Sequence, residues 1–157
     1  AGNQWLQLED FDMGLSSTAS ITGKGGGASA GKLSADEVSL LLGSSKAIVE
    51  LSEALVTGEL IKNVEVEAYA SGGEGKQQLV DEFWFENVIL TGLHQDASLK
   101  YEAIANEVDF TYAKFSHGHI EQKADGSAGP HTEAGWDFTK NDEWTHGPPH
   151  ADIDFLL

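Results

Sequence analysis

The densest apolar run in the chain is 81–91 (DEFWFENVILT), with Phe83, Trp84, Phe85, Val88, Ile89 and Leu90 in eleven residues and no Gly or Pro. Aromatic and β-branched side chains fit a pleated, half-buried surface. Alternation puts Phe83, Phe85 and Ile89 on one face and Trp84, Val88 and Leu90 on the other. The pattern predicts a central strand, covered on one face by its own core and on the other by another body. Trp84, Val88 and Leu90 are therefore candidate subunit-interface residues. The runs 63–69 (NVEVEAY) and 107–115 (EVDFTYAKF) alternate cleanly and are its expected neighbours.

Elsewhere the period changes. Ile48, Leu51 and Leu55 recur at helical spacing, with Val49 and Val56 beside them; Ser44 or Ser45 can open the helix and Gly58 can close it, which predicts a helix over about 44–57. Residues 33–42 carry two signals: Ser34 to Glu37 fits a capping box, while Val38, Leu40 and Leu42 alternate as a strand. A further strand is expected over 4–13, a Gly-rich turn over 71–75, a loop over 92–97, a turn over 122–126 and a return to the body at 135–138. Short strands, Gly-rich turns and one helix make the chain mainly β, a barrel or a sandwich. At 157 residues it is expected to hold one domain, 1–146, with 147–157 as a tail. Gly147-Pro148-Pro149 is a stiff break, and beyond it Ile153, Phe155 and Leu157 share one face of a strand pattern.

Charge narrows the partners. Nine Lys and no Arg stand against 26 Asp and Glu, a net charge of −17, so phosphate backbones and anionic membranes are repelled. No apolar run approaches the roughly 18–20 residues of a spanning helix, so no membrane insertion is expected. Cysteine is absent, which removes disulfides and thiol chemistry and leaves the compartment open. The Ala1-Gly2 start fits either a chain processed on secretion or a trimmed one.

Candidate chemistry is sparse. Residues 26–32 (GGASAGK) fit the phosphate-loop spacing, but Leu33 follows where the motif needs Ser or Thr, and no apolar strand leads in. The loop around Gly25, Gly26 and Gly27 reads instead as a flexible segment, long enough to dock on a partner. Five of six histidines follow residue 116, and His117 and His119 would share one side of a strand. With His131, His146 or His150 they could form a transition-metal site, though an isolated pair at this spacing is usually solvated, so no metal and no cofactor is expected. Glu65 and Glu67 read as a solvated face rather than a catalytic carboxylate pair. No nucleophile elbow or triad can be picked out, so no enzyme is expected.

Taken in order, the segments resemble the hemolysin-coregulated protein (Hcp) family, the tube proteins of type VI secretion. The resemblance runs from about Trp5 to Asn141. It rests on the Met13-Gly14 strand end, the glycine loop closing on Gly31-Lys32, the strand at 33–42, the helix at 45–57, and strands at 60–69, 79–91 and 106–115. Most specific are Gln122-Lys123-Ala124-Asp125-Gly126 and Gly135-Trp136-Asp137 with Asn141. The resemblance implies a β-barrel of two packed sheets with one helix, six-membered rings that stack into a tube, and effector proteins carried in the lumen. It also makes 33–42 a strand, against the capping-box pattern.

The chain departs from the family at both ends. On this resemblance the family's first strand is expected to be missing, which would leave an open sheet edge, and the extra 151–157 alternates like that strand. The tail is expected to fill the vacant slot, in its own barrel or in the next subunit by strand complementation. The functional expectation is a structural, self-assembling homo-oligomer. An extracellular filament joined by its C-terminal strand comes first, with Ile153, Phe155, Leu157, Trp84, Val88, Leu90 and Gly25–Gly27 at the interface. A type VI inner tube and effector carrier, cytoplasmic before export, is the alternative. A soluble ring-forming binding adaptor is the reading from another class.

Overall fold

The computed structural model describes residues 5–18, 20–21, 28–29, 32–72, 75–97 and 103–147. The described chain is mainly β with one helix. Its elements are β1 (Leu8–Asp12), β2 (Leu15–Ser17), β3 (Ser20–Ile21), β4 (Ala28–Ser29), β5 (Leu33–Ala35), β6 (Val38–Leu42), α1 (Lys46–Thr57), β7 (Leu60–Ser71), β8 (Gln77–Asp96), β9 (Ala105–Thr111), β10 (Lys114–Gln122), β11 (Ala128–Asp137) and β12 (Asp142–Glu143). They fall into two compact units: Ala1–Glu59 with Ile89–Thr111, and Leu60–Val88 with Tyr112–Leu157. The 20-residue β8 gives its first part to the second unit and its last part to the first.

In the first unit the strands pair antiparallel in the order β1, β6, β9 and the end of β8. Val38, Leu42, Leu90, Val108 and Phe110 are buried there, with Ala47, Ile48 and Ala54 of the helix. Asn106 is buried among them because its polar atoms are satisfied. Its amide donates to the carbonyls of Leu42 (3.4 Å) and Ile104 (3.2 Å), and its Oδ1 accepts from Gln95 Nε2 (2.9 Å). Ser45 precedes the helix with extended backbone, and Gly58, at φ 66, turns the chain out of it while the Gly58 and Glu59 amides reach the Leu55 and Ala54 carbonyls. The buried stripe is narrower than the sequence pattern: Val49 and Val56 are 70% and 86% exposed.

In the second unit β7 pairs with the start of β8, followed in order by β10, β11 and the two-residue β12. Phe85, Val88 and Phe115 are buried. Phe85 packs on Tyr112 (4.9 Å between ring centres), and Tyr112 and Phe115 meet Phe138 at 5.9 and 6.1 Å.

Three expectations are corrected. Strand β8 continues through 92–97 as far as Asp96, because Leu93 to Asp96 pair with Val108 to Ala105. The predicted strand 107–115 is two strands, broken at Tyr112 and Ala113, where pairing passes from Ile89–Thr111 to Glu86–Lys114. The expected strand 33–42 is interrupted at Asp36-Glu37, where the Asp36 amide bonds the Gly14 carbonyl at 3.0 Å.

The two faces of 81–91 also differ from strict alternation. Asn87 adopts φ 54, a left-handed conformation, between the Glu86–Lys114 and Ile89–Thr111 pairs where the ladder changes strand. Phe85 and Val88 of the second unit are both 0% exposed, so burial does not follow strict alternation across Asn87; in the first unit Leu90 is buried and Ile89 is 44% exposed. Val88 and Leu90 are core residues and are not available to a second subunit. Trp84 remains half-buried on the other face, its ring 3.8 Å from that of His146.

Candidate functional site

A strand at the end of a ladder offers backbone groups to another chain. In the first unit β1 ends the strand order among the described residues, and its Glu9, Asp10 and Asp12 are exposed. Of the expected interface residues, Gly25, Gly26, Gly27, Ile153, Phe155 and Leu157 lie outside the described residues. Trp84 stands in the second unit, on the face opposite Phe85.

The histidine pair on β10 does share a side, and both rings turn to one carboxylate. His117 Nε2 is 3.0 Å and His119 Nδ1 2.9 Å from Asp81 Oδ1, with the His117 ring stacked on Phe83 at 4.1 Å. Burial would raise the Asp81 carboxyl, but the two imidazole hydrogen bonds outweigh it and hold the group below the usual aspartate range. The pair is thus committed to a structural hydrogen-bonded group joining β10 to β8.

A second cluster, expected from the sequence to be a solvated face, is instead half-buried. Glu65 and Glu67 on β7 are half-buried beside Glu82 of β8, which is 6% exposed with its Oε2 buried and without a hydrogen-bond partner. Tyr69 donates to Glu67 Oε2 at 2.5 Å. Burial, and then the neighbouring carboxylates, push Glu65 up to about 8 and Glu82 up to about 7. Across Gly118 lies Glu133, which accepts from the Ser116 hydroxyl and from the Gly147 amide (3.0 Å). Burial acts to raise Glu133 as well, but these hydrogen bonds leave it below its ordinary value. Glu82 was missed because it sits beside Asp81 in an acidic stretch, and only the pairing of β7 with β8 carries it inward.

These shifts set a pH dependence with a defined sign. Glu65 and Glu82 bind protons more tightly folded than unfolded, so their contribution is complete below about 4.5 and is lost as pH rises through about 7 and 8. Asp81 and Glu133 act oppositely, but only below the ordinary carboxylate range. The midpoint of thermal unfolding, followed by circular dichroism, is expected to fall by roughly 3–6 °C between pH 5 and pH 8.5. Glu82→Gln should flatten much of that slope; an unchanged slope in the variant would assign it elsewhere.

The two most specific sequence signatures prove to be turn hardware. In 122–126, Gly126 sits at φ 82, Asp125 Oδ1 accepts from the Ser127 amide (3.0 Å), and Gln122 Nε2 donates to the Ser71 carbonyl (2.8 Å). In 135–141, Asp137 is 2% exposed and its Oδ1 accepts from the Thr139 hydroxyl (2.5 Å) and the amides of Thr139 and Lys140 (2.9 and 3.1 Å). The Thr139 hydroxyl, the backbone amides and Lys114 hold its carboxyl below the ordinary range. Lys114 also pairs with Glu86 at 3.3 Å and lies 5.2 Å from the centre of the Trp144 ring.

The elements thus define a mainly β scaffold whose polar groups serve the fold, and its likeness to known proteins is consistent throughout. Residues 2–119 match the family profile described as "Type VI secretion system effector, Hcp". Among solved structures, one described as a type six secretion system protein superposes with a TM-score of 0.78 at 19% identity, covering 87% of this chain and 85% of that one. Hcp1 from Salmonella typhimurium gives 0.67 at 14% identity, covering 88% and 84%. A type VI secretion system effector from Yersinia pestis gives 0.65 at 17%, covering 84% and 83%. A search of curated proteins returns no match. The chain belongs to the Hcp family of type VI secretion, a family of structural tube proteins and not of enzymes. No described helix is long and apolar enough to cross a membrane.

Proposed function

We propose that this chain is a tube subunit: copies close into rings, the rings stack, effector proteins occupy the lumen, and the assembly is exported from the cytoplasm. The observation that carries this reading is the family match over 2–119, joined to a fold shared along most of the chain. The residue pattern alone favours an extracellular filament; family membership reverses that order. The filament, with 150–157 completing a neighbour's sheet, stays as a second reading because β1 ends its ladder with an open edge among the described residues. Trp84 is proposed as an interface residue under both.

Sedimentation velocity on the full chain and on a form lacking 148–157 separates the readings. For the tube, both forms sediment as multiples of the monomer, and the mass grows with concentration as rings stack. For the filament, only the full chain grows, and the truncated form falls to monomers. Rings that never stack point to a soluble adaptor. A full chain that stays monomeric at high concentration contradicts all three.

A further inference from the structure

Away from the Glu65–Glu82 and His117–His119 clusters, strands β8 and β9 bring three metal-binding side chains to one place. His94 lies directly opposite Glu107, and Gly92 lies opposite Asp109, two positions along on the same face. One ligand atom from each of His94, Glu107 and Asp109 falls within 4.8 Å of the other two. We propose that these three residues bind a divalent first-row transition cation of the zinc type.

Gly92 makes the convergence possible. A Cβ there would stand 2.8 Å from Asp109 Oδ2, so the missing side chain is what lets the Asp109 carboxylate lie across β8. From that position Oδ2 is 3.9 Å from His94 Nε2. Such a gap is too long for a hydrogen bond. It suits two donors that each reach an ion at about 2.0–2.2 Å, which places them up to about 4 Å apart.

Asp109 is also held from behind. The Ser39 hydroxyl on β6, which pairs with Asp109 across the strands, donates to Oδ1 at 2.5 Å and leaves Oδ2 for the ion. Outer hydrogen bonds of this kind orient a metal ligand and restrict its rotation. Asp109 is a fixed donor, its side chain 14% exposed, whereas the His94 side chain, 75% exposed, is free to close on the ion. Among the described residues no lysine pairs with Glu107 or Asp109. One imidazole with two carboxylates favours zinc-like ions over calcium or magnesium, which take oxygen ligands in larger number or keep their water.

Isothermal titration of the full chain with zinc chloride at pH 7.5, alongside ring-nitrogen NMR of the histidines, tests the assignment. Three variants accompany it: His94→Ala, Asp109→Asn, and the double variant His117→Ala/His119→Ala. One zinc is expected per chain, with the His94 ring resonances shifting first. Affinity should drop at least about tenfold in each of the first two variants and stay within about twofold in the third. The assignment is overturned if no zinc binds up to millimolar concentration, if His94→Ala or Asp109→Asn binds as the parent does, or if only the double variant loses binding.

Discussion

Gly135→Ala is expected to cost roughly 3 kcal/mol or more, enough to unfold much of the second unit at moderate temperature. A Cβ at Gly135 would stand 2.2 Å from the Phe115 carbonyl oxygen, 2.5 Å from that of Trp144 and 2.8 Å from the Ser116 Cα. All three obstacles are backbone, so no rotamer change relieves them. Gly135 pairs with Ser116, its carbonyl accepts from the Trp144 amide at 3.2 Å, and Trp136 and Asp137 beyond it pair with β12. Moving any of these opens the ladder that positions the Asp137 turn. Gly43→Ala is the control, since the nearest atom to a Cβ there is Glu9 Oε1 at 3.8 Å, an ordinary contact. Chemical denaturation should separate the two plainly. Equal stability in both variants would mean that the close crossing at Gly135 relaxes without cost.

The second large effect is expected at Phe85. The side chain is fully buried, packs on Tyr112, and belongs to the aromatic group that includes Phe115 and Phe138. Phe85→Ala removes that contact and leaves a cavity, at a cost of about 3–5 kcal/mol. Ile89→Ala, four residues on, should cost well under that because Ile89 is 44% exposed. Under strict alternation the two residues share a face and both substitutions would be severe. The contrast between them therefore measures the break in alternation at Asn87. Comparable losses at both sites would restore the regular strand.

Much of the architecture was legible in the order of the residues. The helix at 46–57 followed from apolar spacing with Ser45 and Gly58 at its ends, and the β-rich body from the alternation in 63–69 and 81–91. What escaped was set by single backbone events that carry no apolar signal. The left-handed Asn87 breaks the alternation between Phe85 and Val88, and Tyr112-Ala113 divides one alternating run between two strands.

The buried carboxylates were illegible for another reason. Glu65, Glu67 and Glu82 look like any acidic surface until pairing between strands sets them side by side. The same holds for His94. Its partners Glu107 and Asp109 are more than ten residues away and meet it only through the β8–β9 register. The His117 and His119 pair was visible as a short-range spacing, but its partner Asp81 was not.

Assembly into rings is the property that defines a tube subunit. Negative-stain electron microscopy of the purified full chain at high concentration in physiological salt should show rings with a central opening, stacked in places into short tubes. A field of single small particles, with no ring at any concentration reached, would contradict it.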